Sequence, residues 1–119
     1  MINKGKMKVK KFGGTSVGSA ERIKNVGTLI TEKGQDIIVL SAMSGTTNSL
    51  LEVSSAIKTG DGEKAKVLTD KLHENYHQVA SELYSTEEYK KKAEDFIDNI
   101  FKQIKYNTNQ KFSESLEKE

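Results

Sequence analysis

Val9-Lys10-Lys11-Phe12-Gly13-Gly14-Thr15-Ser16-Val17-Gly18-Ser19 decides how this chain folds. A short strand-like run meets two glycines, then hydroxyl side chains, then a residue suited to cap a helix. Glycines at such a turn let backbone N–H groups come close to an anion. A helix N-terminus adds unpaired donors and the positive end of its dipole. Strand, glycine turn and helix in this order are the local build of a phosphate site. Lys11, at the end of the strand, can place a full positive charge on the same phosphates. By itself such a turn is more often only a tight strand-to-helix connection.

The lysine precedes the glycines instead of following them, so the segment is not a P-loop, and the G-x-G-x-x-G dinucleotide pattern is absent. Working outward, Ser19 is a good N-cap, with Glu21 in the first turn. Ile23, Val26, Leu29 and Ile30 recur at helical spacing, and Lys33 with Gly34 closes the helix. Ile37-Ile38-Val39-Leu40 is a continuous apolar run, expected of a strand buried on both faces of a parallel sheet. Residues 8–40 therefore read as a β-α-β unit with a right-handed crossover. Residues 41–48 form a hydroxyl-rich loop at the carboxyl end of the second strand. Both loops open on the same sheet edge, where open α/β folds bind ligands.

The rest reads as helix. Leu50, Leu51, Ser54 and Ile57 mark an element that ends at Gly60, and Asp61-Gly62 starts another with Leu68, Leu72, Tyr76, Val79 and Leu83 on one stripe. Ser85-Thr86-Glu87-Glu88 matches a capping box, with Ser85 as N-cap and Glu88 at N3. The helix it opens carries Tyr89, Ala93, Phe96, Ile97, Ile100, Phe101 and Ile104, and Phe112 and Leu116 lie in a polar tail, read as a short helix or a frayed end. Within this stretch His73-Glu74-Asn75-Tyr76-His77 matches H-E-x-x-H, with both histidines on one helix face. A catalytic zinc takes three protein ligands. These are the only two histidines, and a third ligand would be a carboxylate outside any motif. The pair is read as solvated or packing side chains, and no metal is expected.

Composition sets the outer bounds. The chain has 119 residues, enough for one domain at most, with 30% charged and 34% hydrophobic residues. A net charge of +2 is too small to argue for nucleic acid, and no apolar stretch has the ~18–20 residues of a membrane span. The early lysines, Lys4, Lys6, Lys8, Lys10 and Lys11, lack interleaved aromatics and read as a solubilising edge plus one functional lysine. Residues 1–6 lack the apolar core of a secretory signal and read as an extension before Met7. Cysteine is absent, compatible with a reducing cytoplasm, and the absence of proline lets the helices run long.

Lys11-Phe12-Gly13-Gly14-Thr15-Ser16-Val17 resembles the N-terminal signature of aspartate kinases, members of the amino-acid kinase superfamily. Ile37-Ile38-Val39-Leu40-Ser41-Ala42-Met43-Ser44-Gly45-Thr46-Thr47-Asn48 resembles that family's second strand and substrate-side loop. The resemblance is sharp over residues 7–58 and looser over 62–112, where such kinases carry a helical insertion. It implies an α/β fold: part of the three-layer, carbamate-kinase-like amino-acid kinase fold, a β-α-β unit followed by a mostly helical insertion. It implies transfer of the ATP γ-phosphoryl group to the β-carboxylate of L-aspartate, the first step toward lysine, threonine and methionine, in the cytoplasm. Lys11 is the implied catalytic residue; Lys11, Phe12, Gly13, Gly14, Thr15 and Ser16 are the implied phosphate-binding set. Ser41 and Thr47 are the implied substrate contacts, Asn48 caps the next helix, and Mg²⁺ enters with ATP.

Two strands alone make a poor sheet. The expectation is therefore that residues 1–119 are the N-terminal part of a longer kinase, inactive as they stand. Self-association or strand exchange would cover the open edge, and a homo-oligomer is expected of the full protein. In the family the substrate-amine and nucleotide-base contacts lie further along. Kinases of the same superfamily acting on glutamate, acetylglutamate or UMP are the near rivals. A helical interaction module whose glycine turn is structural, and a non-catalytic regulatory fragment, are the rivals of another class.

Overall fold

The computed structural model describes residues 7–30 and 35–117. The element order is β1 (Val9–Phe12), α1 (Ala20–Ile30), β2 (Ile37–Leu40), α2 (Thr46–Lys58), α3 (Gly62–Leu83) and α4 (Glu87–Glu117). The chain is mostly helical with one small parallel sheet, and it forms two compact units, one up to Gly45 and one from Thr46 on.

In the first unit β1 and β2 pair in parallel, Val9 with Ile37 through Phe12 with Leu40. The ladder runs one residue past each end: Ile37 N–H donates to the Lys8 carbonyl (2.8 Å) and Ser41 N–H to that of Phe12 (3.0 Å). Ser19 caps α1 as expected, its Oγ accepting from Arg22 N–H at 3.2 Å. Among the described residues of this unit, Val17, Ala20 and Val26 are the buried apolar ones. The expected closure by Lys33 and Gly34 lies outside the described residues.

One expectation fails here. β2 is not buried on both faces: Ile37, Val39 and Leu40 are 48%, 43% and 57% exposed. Apolar sequence on both sides of a strand states a demand for cover, whereas burial needs neighbours. One partner strand and one helix do not supply them on both faces. Leu29 and Ile30, at the end of α1, are exposed for the same reason.

The second unit is three helices. Its core is Val53 and Ala56 of α2 against Ala65 of α3, with Ile57 and Leu68 packed on them. Leu72, Ala80, Thr69 and Phe101 are buried alongside. Thr69 is satisfied by donating to the Ala65 carbonyl at 2.8 Å. Of the four residues that mark α2 in the sequence, Ile57 packs on this core, while Leu50, Leu51 and Ser54 lie exposed. Leu50 and Leu51 are exposed because Thr46, Ser49, Val53 and Ala56 hold the inward positions of the 3.6-residue period. Gly60 ends α2 as expected. Its φ of +78° permits Asp61 N–H to reach the Ala56 carbonyl and its own N–H that of Ile57, the two bonds of a Schellman cap. Asp61 then caps α3, accepting from Lys64 N–H at 3.0 Å.

Three boundaries move. α2 begins at Thr46, so Asn48 is its third residue and not its cap. α4 begins at Glu87, with the Thr86 carbonyl accepting from Lys90 N–H, so the cap sits one residue past Ser85. Phe112 and Leu116 belong to α4 itself, which continues to Glu117 because no glycine or proline follows Gly62 to stop it.

Candidate phosphate-binding loop

The turn between β1 and α1 is a run of tight bends. Ser16 N–H donates to the Gly13 carbonyl (3.0 Å) and Gly18 N–H to that of Thr15 (3.3 Å). The loop after β2 lies directly against it, with Ser44 N–H donating to the Gly14 carbonyl at 3.1 Å. A side chain would be tight at the contact: a Cβ on Gly14 would stand 3.3 Å from the Ala42 carbonyl oxygen, and one on Gly18 3.2 Å from that of Gly14. The two motif blocks thus meet at one edge of the sheet, as the parallel topology demands. Gly13 differs, since a Cβ there meets nothing within 4 Å.

Among the described residues, the N–H groups of Gly13, Gly14 and Thr15 donate to no protein carbonyl. The N–H groups of Ala20 and Glu21, in the first turn of α1, lack helical partners by position. Thr15 and Ser16 add exposed side chains. Phe12 is half-buried at the strand end, its carbonyl committed to Ser41.

The adjacent lysines of β1 divide. Lys10 Nζ pairs with Asp36 at 3.2 Å and donates to the Leu29 carbonyl at 3.3 Å, so it faces α1. Successive strand residues face opposite sides. Lys11 therefore points away from α1, and it is exposed. Ser41 is exposed at the carboxyl end of β2. Thr47 is exposed as the second residue of α2, in the helical unit.

Two residues of this region carry no signal in the motif. Arg22 donates from Nη1 to the Thr15 carbonyl at 2.9 Å, bracing the turn from the first turn of α1. Thr46, read as loop, shares a 2.7 Å hydrogen bond with the Tyr76 hydroxyl, 30 residues on. Neither contact follows a spacing that a linear pattern reveals.

A glycine turn with uncommitted Gly13, Gly14 and Thr15 N–H groups thus lies at the carboxyl edge of a parallel β-α-β unit. The comparisons place its sequence. The chain is 53% identical over 57 residues to an aspartate kinase of Pseudomonas fluorescens, covering 44% of this chain and 14% of that protein. It is 41% identical over 73 residues to an aspartokinase of Chlamydia trachomatis, covering 61% and 16%. It is 37% identical over 90 residues to one of Geobacillus stearothermophilus, covering 61% and 22%. No family model matches the chain. The resemblance carried by the two motif blocks is thus a resemblance to aspartokinases, over about half of this chain. The chain spans less than a quarter of the length of these relatives.

Proposed function

We propose that this chain carries the phosphate-gripping segment of a cytoplasmic aspartate kinase, as the N-terminal part of a catalytic domain with the amino-acid kinase fold. One observation supports this most: aspartokinase-like sequence coincides with a glycine turn whose N–H groups are uncommitted, beside an exposed Lys11. No described helix is long and apolar enough to cross a membrane.

In the proposed reaction a β-carboxylate oxygen of L-aspartate attacks the γ-phosphorus of ATP. The bond to the β,γ-bridging oxygen breaks, giving 4-phospho-L-aspartate and ADP. The attacking carboxylate, with an ordinary pKa of ~3.9, is already ionised at neutral pH, so no general base is needed. Catalysis then rests on positioning and on offsetting charge as the phosphoryl group moves. Lys11 supplies the mobile positive charge. Gly13 and Gly14 N–H groups hold phosphate oxygens, and Thr15 and Ser16 hydroxyls add donors. Ser41 and Thr47 contact the amino-acid substrate. The turn itself offers N–H groups and hydroxyls but no carboxylate, and Asp36 is taken by Lys10. These residues fit phosphate oxygens and not a magnesium cage, so Mg²⁺ comes with the nucleotide.

A hydroxamate trap tests the proposal. The matched segment of the Geobacillus stearothermophilus aspartokinase is replaced by that of this chain and assayed with MgATP, L-aspartate and hydroxylamine. Aspartyl hydroxamate is expected, falling at least ~10²-fold in Lys11→Ala, the usual loss for a preorganised charge-stabilising group. A folded chimera that makes none, or that ignores Lys11→Ala, overturns the proposal. The 119-residue chain alone is expected to make no hydroxamate.

A further inference from the structure

The H-E-x-x-H histidines lack a third ligand in the sequence, and α4 brings one. His73 Nε2 lies 2.7 Å and His77 Nε2 2.5 Å from the same oxygen, Oδ1 of Asp98. The three ligand atoms all lie within 4.8 Å of one another. We propose that His73, His77 and Asp98 bind a divalent ion of the zinc class, pinning α3 to α4.

Four observations carry this. First, the donor set suits the ion: two imidazoles and a carboxylate are borderline ligands that select zinc-like ions over magnesium or calcium. Second, a tetrahedral ion with bonds of ~2.0–2.1 Å needs its ligands ~3.3 Å apart. Both N···O distances must open by less than ~1 Å, and the Asp98 side chain is half-exposed. Third, the rings are held. His73 stacks on buried Phe101 (4.5 Å between centroids, 6° between planes), and His77 meets His73 edge-on at 4.8 Å. Fourth, solvent reaches the half-exposed carboxylate, leaving the fourth position to water.

One neighbour opposes the ion. Lys105 Nζ stands 3.1 Å from His73 Nδ1 and 3.0 Å from Asp70 Oδ1. An ammonium can only donate, so this contact puts the His73 proton on Nε2. Metal at Nε2 moves that proton to Nδ1, where it faces the ammonium. Lys105 must then leave His73 and keep Asp70 alone. The site therefore carries a built-in opponent whose removal strengthens binding, which an ordinary hydrogen-bonded cluster does not predict.

The test is titration of the full chain with Co²⁺ and Zn²⁺ alone, read by the visible absorption of four-coordinate cobalt and its displacement by zinc. One ion per chain is expected. His77→Asn and Asp98→Asn should weaken binding more than ~tenfold, and Lys105→Gln should tighten it about three- to tenfold by removing a like charge a few ångströms away. Far-ultraviolet circular dichroism checks that each variant keeps its helices. Failure of the wild-type chain to bind one ion overturns the proposal. So does equal affinity in the folded His77→Asn and Asp98→Asn variants, or no tightening in Lys105→Gln.

Discussion

At the scale of single residues, the glycine turn separates roles that the sequence shows as one motif. Gly14 and Gly18 are glycine because other backbone crowds them. Gly13 has open space around it and no left-handed φ, so nothing in the protein forbids a side chain there. Gly13→Ala should leave thermal unfolding within about 1 kcal/mol of wild type, the ordinary backbone effect, while weakening MgATP retention in the kinase chimera. Gly14→Ala should lower the unfolding temperature, because the 3.3 Å contact with Ala42 must open. Equal destabilisation by both would contradict this division. Arg22→Gln removes the brace on Thr15. It should raise KM for ATP several-fold at a stability cost of about 1 kcal/mol; an unchanged KM would show that the turn holds its shape unaided. Residue type alone marks Gly13 to Ser16 and Lys11 as the candidate site. It could not show Arg22, whose contribution is a contact across a turn.

At the scale of elements, the helices were legible where local chemistry writes them and not where partners choose. Ser19, Gly60 and Asp61 are caps made by their own neighbours, and all three stand where the sequence put them. Leu50, Leu51, Ser54 and Ile57 mark α2 in the sequence, but of these four Ile57 packs on the core, while the helices opposite select Val53 and Ala56. The same holds for Asp98, invisible as a partner of His73 and His77 until α4 lies on α3. Two substitutions check the local terms by thermal unfolding. Asp61→Ala should cost about 1 kcal/mol by freeing the Lys64 N–H. Gly27→Ala, inside α1 with nothing within 4 Å of the added Cβ, should stabilise by about 0.5–1 kcal/mol. A loss of stability in the latter would mean that the helix needs the glycine for a reason other than space.

At the scale of the molecule, the parallel pairing of β1 and β2 was legible from the β-α-β pattern, but the burial of β2 was not. Burial depends on what lies beside the sheet, and the sequence of one strand cannot supply it. Val39 is 43% exposed, so Val39→Lys should change the stability of this chain by less than about 0.5 kcal/mol, as surface substitutions do. In the kinase chimera, where further strands are expected to cover the sheet, the same change should be strongly destabilising. Parallel unfolding curves for the two pairs would show that β2 stays exposed in both settings.

The opposed lysines of β1 have a further implication. Lys10 is held by Asp36 and the Leu29 carbonyl, and Lys11 stands on the other side of the strand. Charge on this strand is therefore sorted by odd and even position and not by amount. Exchanging Val9 with Lys10 preserves composition, length and net charge, yet it sets two positive groups on one side and strands Asp36 without its counter-ion. Insertion of a single residue before Lys10 would do more, moving Lys10 into the place of Lys11 and Lys11 into that of Phe12, so that each lysine changes sides. The strand behaves as a reading frame, in which a shift of one is graver than the loss of a charge.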